Sequence, residues 1–493
     1  MTDDDRDAET LDPTDLEALR DLAHRMVDDA FHDVATLRDR PVWQPMPEHV
    51  EAAFDGPVPR TGEGAEAAYR DFRDFVAPYP LGNTHPRFWA WYVGNGTMMG
   101  ALGAFLGAAA NPNLGGANHA AVRVEQQVIR WCGEMLGYPS DASGLMVSGA
   151  SMANLVGLAV ARSAHAGIDV RAEGVRAMPE PLVAYGSREL HSCHQRAMEL
   201  LGLGSASLRK VAVDEEYRID LGALARAVSE DRAAGRRPFV VIGNAGTINT
   251  GAIDDLEALA DFCAREGIWF HVDGAIGALV TITPTLAHLV RGIERADSVA
   301  LDLHKWMHVP FEAGVALVRH EALHRGTFTL TPDYLEHTTR GLPGGSVWFS
   351  DYGVQLSRDF KALKVWLSLK ERGIDAYGRA MERNVAQAAH LAQRIAREPT
   401  LELMAPASLD IVCFRVLADG ASDASLDELN RELLLRVHES GVAAPSYTTL
   451  SGRYCLRVAI SNHRSTFEDF DVFVDALLEL AAEARRELST SAG

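Results

Sequence analysis

Residues 298–310 read SVALDLHKWMHVP, and the fold is organised around this stretch. Its apolar and β-branched start is typical of a buried strand, and its polar end places His304 and Lys305 where that strand should stop. Burial favours the neutral form of a lysine amine, which can form a Schiff base with a carbonyl group. A lysine that has simply reached solvent at a strand end is the alternative. The neighbouring sequence decides between the two.

A second predicted strand ends in an aspartate. Residues 267–278 read GIWFHVDGAIGA, in which Asp273 follows the apolar run IWFHV. Ligands of open α/β sheets bind at the carboxyl ends of the strands. A buried carboxylate needs a cationic partner, and a protonated pyridine nitrogen is one. We therefore interpret Asp273 and Lys305 as the two anchors of pyridoxal 5′-phosphate, a cofactor that acts as an electron sink, with a purely structural pair as the alternative.

The bulk composition is that of a globular protein. The chain has 493 residues, of which 47% are hydrophobic, and a formal net charge of −21, which argues against nucleic acid and anionic membranes as partners. Five cysteines without metal-ligand spacing suit free thiols in a reducing cytosol. The acidic first residues carry no secretory signal, and no apolar run is long enough to span a membrane. The expected location is cytoplasmic.

Three segments are expected. Residues 1–84 should form an N-terminal helical arm, because the patterns at 15–37 and 63–75 predict two helices joined by a proline-rich connector. These helices cannot bury their apolar faces alone, so the arm should pack on the main domain or on a second subunit. Residues 85–375 predict a large α/β domain with a mainly parallel sheet, and residues 376–493 a small α+β domain. The predicted strands of the large domain are 182–185, 208–213, 239–244, 268–272, 298–302 and 313–318.

Several polar residues fall at the expected carboxyl edge of the sheet. Ser148, Ala150 and Ser151 directly precede a strongly helical run. Exposed N–H groups at a helix start can bind a phosphate, although a serine there is also an ordinary N-cap. His191 follows the predicted strand LVAY, where its ring could stack on a pyridine, or serve as a cap or a surface residue.

Three further residues are weaker candidates. Ala275, two residues past Asp273, could close the other face of a stacked ring. Thr247 ends a predicted strand, and its hydroxyl could orient Asp273 or belong to a turn. Asp302 can only accept hydrogen bonds when ionised, so a direct phosphate contact would be electrostatically unfavourable and its role is open.

The chain resembles the group II pyridoxal-phosphate decarboxylases, a family that includes aromatic-L-amino-acid and glutamate decarboxylases. The resemblance covers 85–465, and its motifs occur in family order: HPRFWAW, SGAS, LHSCHQRA, PFVVIGNAGT, IWFHVDGA, HKW, YLEH, LSRDFKALKVW and LRVAISNHRST. It implies a pyridoxal-phosphate-dependent transferase fold of type I, which is aspartate aminotransferase-like. It also implies carboxy-lyase activity and an obligate homodimer with active sites at the subunit interface.

The resemblance also implies roles for individual residues. Lys305 would form the Schiff base, Asp273 would pair with the pyridine nitrogen, and His191 would stack on the ring opposite Ala275. Many relatives have Asn-Pro before the His-Lys pair, whereas this chain has Asp302 and Leu303. The candidate cofactor-binding residues are Ser148, Ala150, Ser151, His191, Thr247, Asp273, Ala275, Asp302, His304 and Lys305.

Tyr334 completes the catalytic candidates Lys305, His191 and Asp273, and no metal is expected. It lies in TLTPDYLEHTTRGLPGG, whose Pro332 and glycines predict a mobile loop. YLEH resembles the family loop that carries a catalytic tyrosine, whereas aldehyde-forming relatives commonly have phenylalanine there. A phenol delivered by a closing loop could protonate the substrate α-carbon, and a packing role is the alternative.

The expected reaction removes the α-carboxyl group of an L-amino acid as carbon dioxide and leaves an amine. An aromatic side chain is the first choice, since apolar walls could come from Phe88, Trp89, Trp91 and Tyr92. A decarboxylase for an acidic or other aliphatic amino acid is the alternative enzyme, in which Arg87 or Arg123 could bind a distal carboxylate. A non-catalytic cofactor-binding subunit with a regulatory or structural role is the alternative outside the enzymes.

Overall fold

The computed structural model describes residues 10–330, 340–345 and 347–491. Its α-helices are α1 (Leu16–Ala35), α2 (Glu48–Glu51), α3 (Ala65–Asp71), α4 (Met98–Ala110), α5 (Ala120–Met135), α6 (Ala150–His165), α7 (Val170–Glu173), α8 (Cys193–Leu200), α9 (Leu221–Ala233), α10 (Leu256–Glu266), α11 (Glu321–Phe328), α12 (Lys361–Arg372), α13 (Ile374–Ala396), α14 (Asp423–Glu439) and α15 (Phe467–Ser491). Its strands are β1 (Ser143–Val147), β2 (Leu182–Ser187), β3 (Leu208–Val211), β4 (Arg237–Asn244), β5 (Trp269–Asp273), β6 (Ser298–Asp302), β7 (Gly314–Val318), β8 (Leu401–Leu403), β9 (Ile411–Val416), β10 (Ser446–Leu450) and β11 (Arg453–Ala459).

The large sheet has seven strands in the order β1-β7-β6-β5-β4-β2-β3. Four neighbouring pairs are parallel, from β3 across to β6, whereas β7 runs antiparallel to both of its neighbours. This confirms the predicted α/β class with a mainly parallel sheet. The six predicted strands correspond to β2 through β7 with small shifts at their ends. The first strand, β1, was not predicted, because it is short, contains a glycine and gains its pairing from β7, which is distant in sequence.

Strands β5 and β6 position Asp273, Asp302 and Lys305. Every residue of both strands is buried, as expected when helices cover both faces of a parallel sheet. Their register pairs Asp273 with Ala300, so Asp273 and Asp302 end neighbouring strands at the same edge of the sheet. Lys305 follows in the turn directly after β6.

The N-terminal arm packs against the C-terminal part of the chain. Helix α1 falls within the predicted range, and Asp15 caps it by accepting a hydrogen bond from the N–H of Ala18. Arg38 forms a 2.7 Å ion pair with Asp469 at the start of α15. Part of the apolar surface of the arm remains exposed, including Met26, Val27, Phe31 and Phe72.

A second sheet lies in the C-terminal part, in the order β10-β11-β9-β8, with all neighbours antiparallel. Helices α13 and α14 pack against it, which fits the predicted α+β pattern. The strands predicted here, 411–416 and 454–460, correspond to β9 and β11. Strands β8 and β10 were not predicted, because β8 has only three residues and the sequence of β10, SYTTL, is mostly polar. The predicted domain boundary at residue 375 falls in the first turn of α13, and the division into domains stays a prediction.

Two further observations concern the state of the cysteines and the length of the helices. All five cysteines are buried and free. Within the described ranges, no helix is both long and apolar enough to cross a membrane.

Candidate active site

A cavity of about 390 Å³ opens where β5 and β6 end. Most of the expected cofactor-binding residues line it, namely Ser148, Ala150, Ser151, His191, Asp273, Ala275, Asp302, His304 and Lys305. Thr247 is not among the lining residues, and Tyr334 lies outside the residues that the structure describes. The fold therefore brings together residues that are spread over more than a quarter of the chain.

Asp273 is the most strongly fixed group of the cavity. Its Oδ2 accepts hydrogen bonds from His194 Nε2 at 2.8 Å and from Asn154 Nδ2 at 3.1 Å, and its Oδ1 accepts one from the N–H of Ala275 at 3.1 Å. Burial alone would raise the pKa of Asp273, but these hydrogen bonds and the nearby charge of Lys305 outweigh burial and hold the pKa well below its usual range. The carboxylate is therefore ionised and keeps one acceptor position on Oδ1.

Asp302 links the lysine to the start of α6. Its Oδ2 lies 3.0 Å from Lys305 Nζ, and its Oδ1 accepts a 2.7 Å hydrogen bond from the N–H of Ala150. These two contacts give Asp302 a role, which could not be assigned from the sequence alone. The Ala150 N–H, expected at a phosphate, already has a carboxylate acceptor. The Ser151 N–H lies in the same first turn, where no preceding helix carbonyl can accept it.

The turn between β1 and α6 is packed tightly onto β7. A Cβ atom placed on Gly314 would lie 2.5 Å from the Cα of Gly149, so a larger residue would push this turn off the strand. The close approach holds the N-terminus of α6 toward the cavity. Free N–H groups and the helix dipole make such an end favourable for an anion.

Two histidines contribute flat rings to the cavity. His191 Nδ1 accepts a hydrogen bond from the N–H of Cys193 at 3.2 Å, and His304 Nδ1 accepts one from the N–H of Ala313 at 3.1 Å. Each neutral ring therefore carries its hydrogen on Nε2. Burial is the main cause that lowers the pKa of both His191 and His304, which favours neutral rings.

Thr247 has other partners than expected. Its hydroxyl lies 3.0 Å from the Thr250 hydroxyl and accepts a hydrogen bond from the N–H of Ala252 at 3.1 Å. The Thr247 side chain thus closes its own turn instead of orienting Asp273. Asn154 and His194 hydrogen-bond that carboxylate in its place.

Sequence analysis missed Asn154 and His194, although each left a signal. Asn154 is a polar residue inside the apolar helical run SMANLVGLAVAR, and His194 follows His191 in HSCHQRA. Both are completely buried. Phe311 was also missed, and its ring lines the cavity with its centroid 4.4 Å from that of His304.

The aromatic residues expected around a substrate lie elsewhere. The Trp89 ring stacks on Phe470 with centroids 4.6 Å apart, inside the C-terminal core. Tyr92 donates a 2.7 Å hydrogen bond to Asp410. Arg87, considered for a distal carboxylate, donates to the carbonyl of Val442 at 2.6 Å. These side chains join parts of the fold, and the apolar lining of the described cavity comes from Ile248, Ile276 and Phe311.

The cavity fits pyridoxal 5′-phosphate on three grounds. It presents a primary amine at Lys305, an ionised carboxylate with one free acceptor position at Asp273, and a helix N-terminus suited to a phosphate. These match the aldehyde, the ring nitrogen and the phosphate of that molecule.

Comparison with known proteins agrees with this fit. The family model described as "Pyridoxal-dependent decarboxylase conserved domain" matches residues 47–417. An aromatic-L-amino-acid decarboxylase from Bacillus atrophaeus is 33% identical over 471 residues, covering 95% of this chain and 96% of the relative. A phenylacetaldehyde synthase from Arabidopsis thaliana is 30% identical over 466 residues, covering 91% and 93%.

A solved structure gives the same result for the fold. The crystal structure of Oryza sativa TDC with PLP and tryptamine has a TM-score of 0.89 and 25% identity, and the match covers 96% of this chain and 100% of that one. The predicted type I fold, pyridoxal-phosphate cofactor and carboxy-lyase class are thereby confirmed. The chain belongs to the pyridoxal-dependent decarboxylase family.

Proposed function

We propose that this protein removes the α-carboxyl group of an aromatic L-amino acid as carbon dioxide and releases the corresponding amine. The observation that carries the proposal is the meeting of Lys305, Asp273 and the N-terminus of α6 in one cavity. The aromatic side chain is supported by the names of two relatives: an aromatic-L-amino-acid decarboxylase, and a rice protein solved with tryptamine. Pyridoxal phosphate, when bound, supplies the electron sink that the departure of carbon dioxide requires.

The two anchors have separate tasks. Lys305 would hold the cofactor through its amine, and Asp302 would keep that amine in place, since its Oδ2 lies 3.0 Å away. Asp273 would keep a proton on the ring nitrogen through the remaining acceptor position of Oδ1. Ser148, Ser151 and the N-terminus of α6 would bind the phosphate.

The flat residues of the cavity would orient the ring and the substrate. His191 would cover one face of the ring and Ala275 the other, since both line the cavity and His191 is held by its contact with Cys193. His304 and Phe311 would contact the substrate from the cavity mouth, where Phe311 is 52% exposed. An exposed aromatic ring at this position suits an aromatic substrate.

Tyr334 would supply the proton that the α-carbon takes up after carbon dioxide has left. This role rests on the motif YLEH.

Assembly and location complete the proposal. We infer a cytoplasmic homodimer in which the arm covers a second subunit, because Met26, Phe31 and Phe72 leave apolar surface uncovered. Light scattering should give the mass of two chains of 53.5 kDa each. A monomer at micromolar concentration would contradict the dimer, and a soluble dimer lacking residues 1–80 would contradict the role of the arm.

An assay with purified protein tests the function. The protein is supplied with pyridoxal phosphate and a panel of aromatic, acidic and aliphatic L-amino acids, and amine and carbon dioxide are measured, with Lys305→Ala as the inactive control. Amine from aromatic substrates alone is the expected result. Amine from an acidic or aliphatic substrate would indicate the alternative decarboxylase, and cofactor binding without any amine would indicate a non-catalytic subunit.

A further inference from the structure

A continuous chain of buried hydrogen bonds lies behind the Asp273 carboxylate. Asn154 Nδ2 donates to Asp273 Oδ2 at 3.1 Å, and Asn154 Oδ1 lies 2.8 Å from His271 Nε2. His271 Nδ1 lies 2.7 Å from Ser298 Oγ, which also accepts a 2.8 Å hydrogen bond from Trp269 Nε1. Asn154, His271 and Ser298 are completely buried. Water therefore cannot replace any of these partners.

The direction of each hydrogen bond in the chain is determined. The ionised Asp273 can only accept, so the Asn154 amide must turn its nitrogen to Asp273 and its oxygen to His271. His271 must then donate from Nε2. Burial lowers the pKa of His271 to about 3, so the ring is neutral and its Nδ1 accepts the Ser298 hydroxyl hydrogen. The chain thus fixes one tautomer of His271 and one orientation of Asn154.

His194 is the second donor to the same carboxylate oxygen. Its Nε2 lies 2.8 Å from Asp273 Oδ2 and must carry the hydrogen, because the carboxylate has none to give. The His194 side chain is completely buried, and its Nδ1 has no hydrogen-bond partner among the described residues. Among the described residues, the hydrogen bond to Asp273 is thus the only one that the His194 side chain forms.

Together these contacts leave one acceptor position on Asp273. Oδ2 is filled by Asn154 and His194, and one position of Oδ1 is filled by the N–H of Ala275. We propose that His194 is a positioning residue that acts through Asp273: its Nε2–H, with the Asn154 amide, keeps the carboxylate ionised so that the ring nitrogen of the cofactor retains its proton. This inference rests on the proposed function, because it concerns the contact between Asp273 and that nitrogen.

The physical reason is a competition for one proton. A carboxylate that has lost a donor holds its charge less well and becomes more basic. The proton shared with the ring nitrogen then moves toward Asp273 Oδ1, and the neutral pyridine left behind withdraws electrons less strongly. A hydrogen bond to a charged group corresponds to roughly a ten- to hundredfold change in such a proton equilibrium.

A metal site is the other arrangement that these residues suggest. Ligand atoms of Cys193, His194 and Asp273 lie within 4.8 Å of one another. Cys193 Sγ accepts a 3.4 Å hydrogen bond from Asn154 Nδ2 and so belongs to the same hydrogen-bonded cluster. His194 Nε2 also already donates to the carboxylate. The hydrogen-bonded arrangement is therefore favoured.

The first experiment measures binding to the apoprotein without turnover. Equilibrium affinities are compared for pyridoxal phosphate and for an analogue in which C–H replaces the ring nitrogen. Wild type should prefer the natural cofactor, and His194→Leu should lower this preference roughly tenfold or more without weakening the analogue. His194→Gln, which keeps an N–H donor, should retain most of the preference. His324→Leu is the matched control, because His324 is equally buried but hydrogen-bonds Ser143 and the carbonyl of Tyr352.

The second experiment observes the proton directly. The ¹⁵N shift of a labelled ring nitrogen should report a protonated pyridine in wild type and in the control, and should move toward the unprotonated value in His194→Leu. Asn154→Ala removes the other donor and should move the shift in the same direction, so it serves if His194→Leu does not fold. An unchanged preference and an unchanged shift in these variants would overturn the role of His194. Failure of wild type to prefer the natural cofactor would instead overturn the Asp273 contact and the proposed function, and stoichiometric metal that is lost in His194→Leu would establish the metal site.

Discussion

Arg358→Met is expected to destabilise the protein strongly, because it leaves Glu125 without a countercharge. The Arg358 side chain is 4% exposed and that of Glu125 is completely buried. The guanidinium lies 3.2 Å from Glu125 Oε2 through Nη1 and also donates to the carbonyls of Leu114 and Met146 at 2.9 and 2.7 Å. Methionine fills a similar volume but provides none of these donors.

The expected loss is about 3–5 kcal/mol of unfolding free energy, the usual effect of removing one partner from a buried ion pair. Burial already raises the pKa of Glu125, and Arg358 is the main group that opposes this. In the variant the pKa should rise further, so the folded protein binds a proton that the unfolded chain releases at neutral pH. The stability of the variant should therefore fall as pH rises, and the loss should be larger at pH 8 than at pH 5.

The assay is urea unfolding of the apoprotein at both pH values, followed by tryptophan fluorescence. The double variant Arg358→Met with Glu125→Leu should recover most of the loss, because no charge is then left buried. Affinity for pyridoxal phosphate should fall in the single variant, since Met146 precedes Ser148 by two residues. A loss below about 1 kcal/mol at pH 8, or a double variant no more stable than the single one, would refute this reasoning.

Three further predictions concern the site and the histidines. Borohydride should fix the cofactor to wild type but not to Lys305→Ala, and mass spectrometry of the modified peptide will show whether Lys305 is the attachment point. Tyr334→Phe should still bind cofactor and substrate but release less amine and, in air, more aldehyde, ammonia and peroxide; an unchanged amine rate in air and under nitrogen would exclude Tyr334 as the proton donor. The apoprotein should lose stability as pH falls from 6.5 toward 4, because burial lowers the pKa of His324 and of His463 to about 4 and the unfolded chain then binds more protons. Each such histidine contributes about 1.4 kcal/mol per pH unit in that window, which thermal unfolding at pH 7 and pH 5 can measure, and His324→Leu should flatten the dependence.

Much of the sheet could be predicted from the sequence, because its central strands are buried on both faces. Strand β6 was predicted with its observed bounds, and β5 was displaced by one residue. Strands without a clear apolar run carry a weaker signal: β1 includes a glycine, β8 has three residues and β10 is mostly polar, and all three were missed. Strand β1 also depends on β7, which lies far away along the chain, whereas β10 pairs with the neighbouring strand β11.

In the candidate site, too, some residues could be placed from the sequence and others could not. Residues that end a strand, such as Asp273, could be placed from the local pattern because a strand end fixes its edge of the sheet. The hydrogen-bond partners of those residues could not be predicted from the local pattern, because packing sets the orientation of a helix around its own axis. His194 and Asn154 lie on α8 and α6, and nothing local shows that both turn toward the same carboxylate oxygen. For Thr247 the sequence left an orienting role and a turn role open, and the structure shows the turn role, in which its hydroxyl accepts a hydrogen bond from the N–H of Ala252.

The pairing of Asp273 with Ala300 across β5 and β6 makes the distance between the two anchors a discrete quantity. A slip of one residue would turn Asp273 to the opposite face of the sheet, and the next register that keeps its face is displaced by about 6.6 Å along the strand. Mutations in these strands therefore cannot change the distance between Asp273 and Lys305 gradually. Insertions in the connection from residue 274 to 297 change loop length and leave the spacing intact, whereas a single insertion within β5 or β6 abolishes it. Engineering of this scaffold for cofactors of other dimensions should accordingly alter the turn that carries Lys305 and leave both strands unchanged.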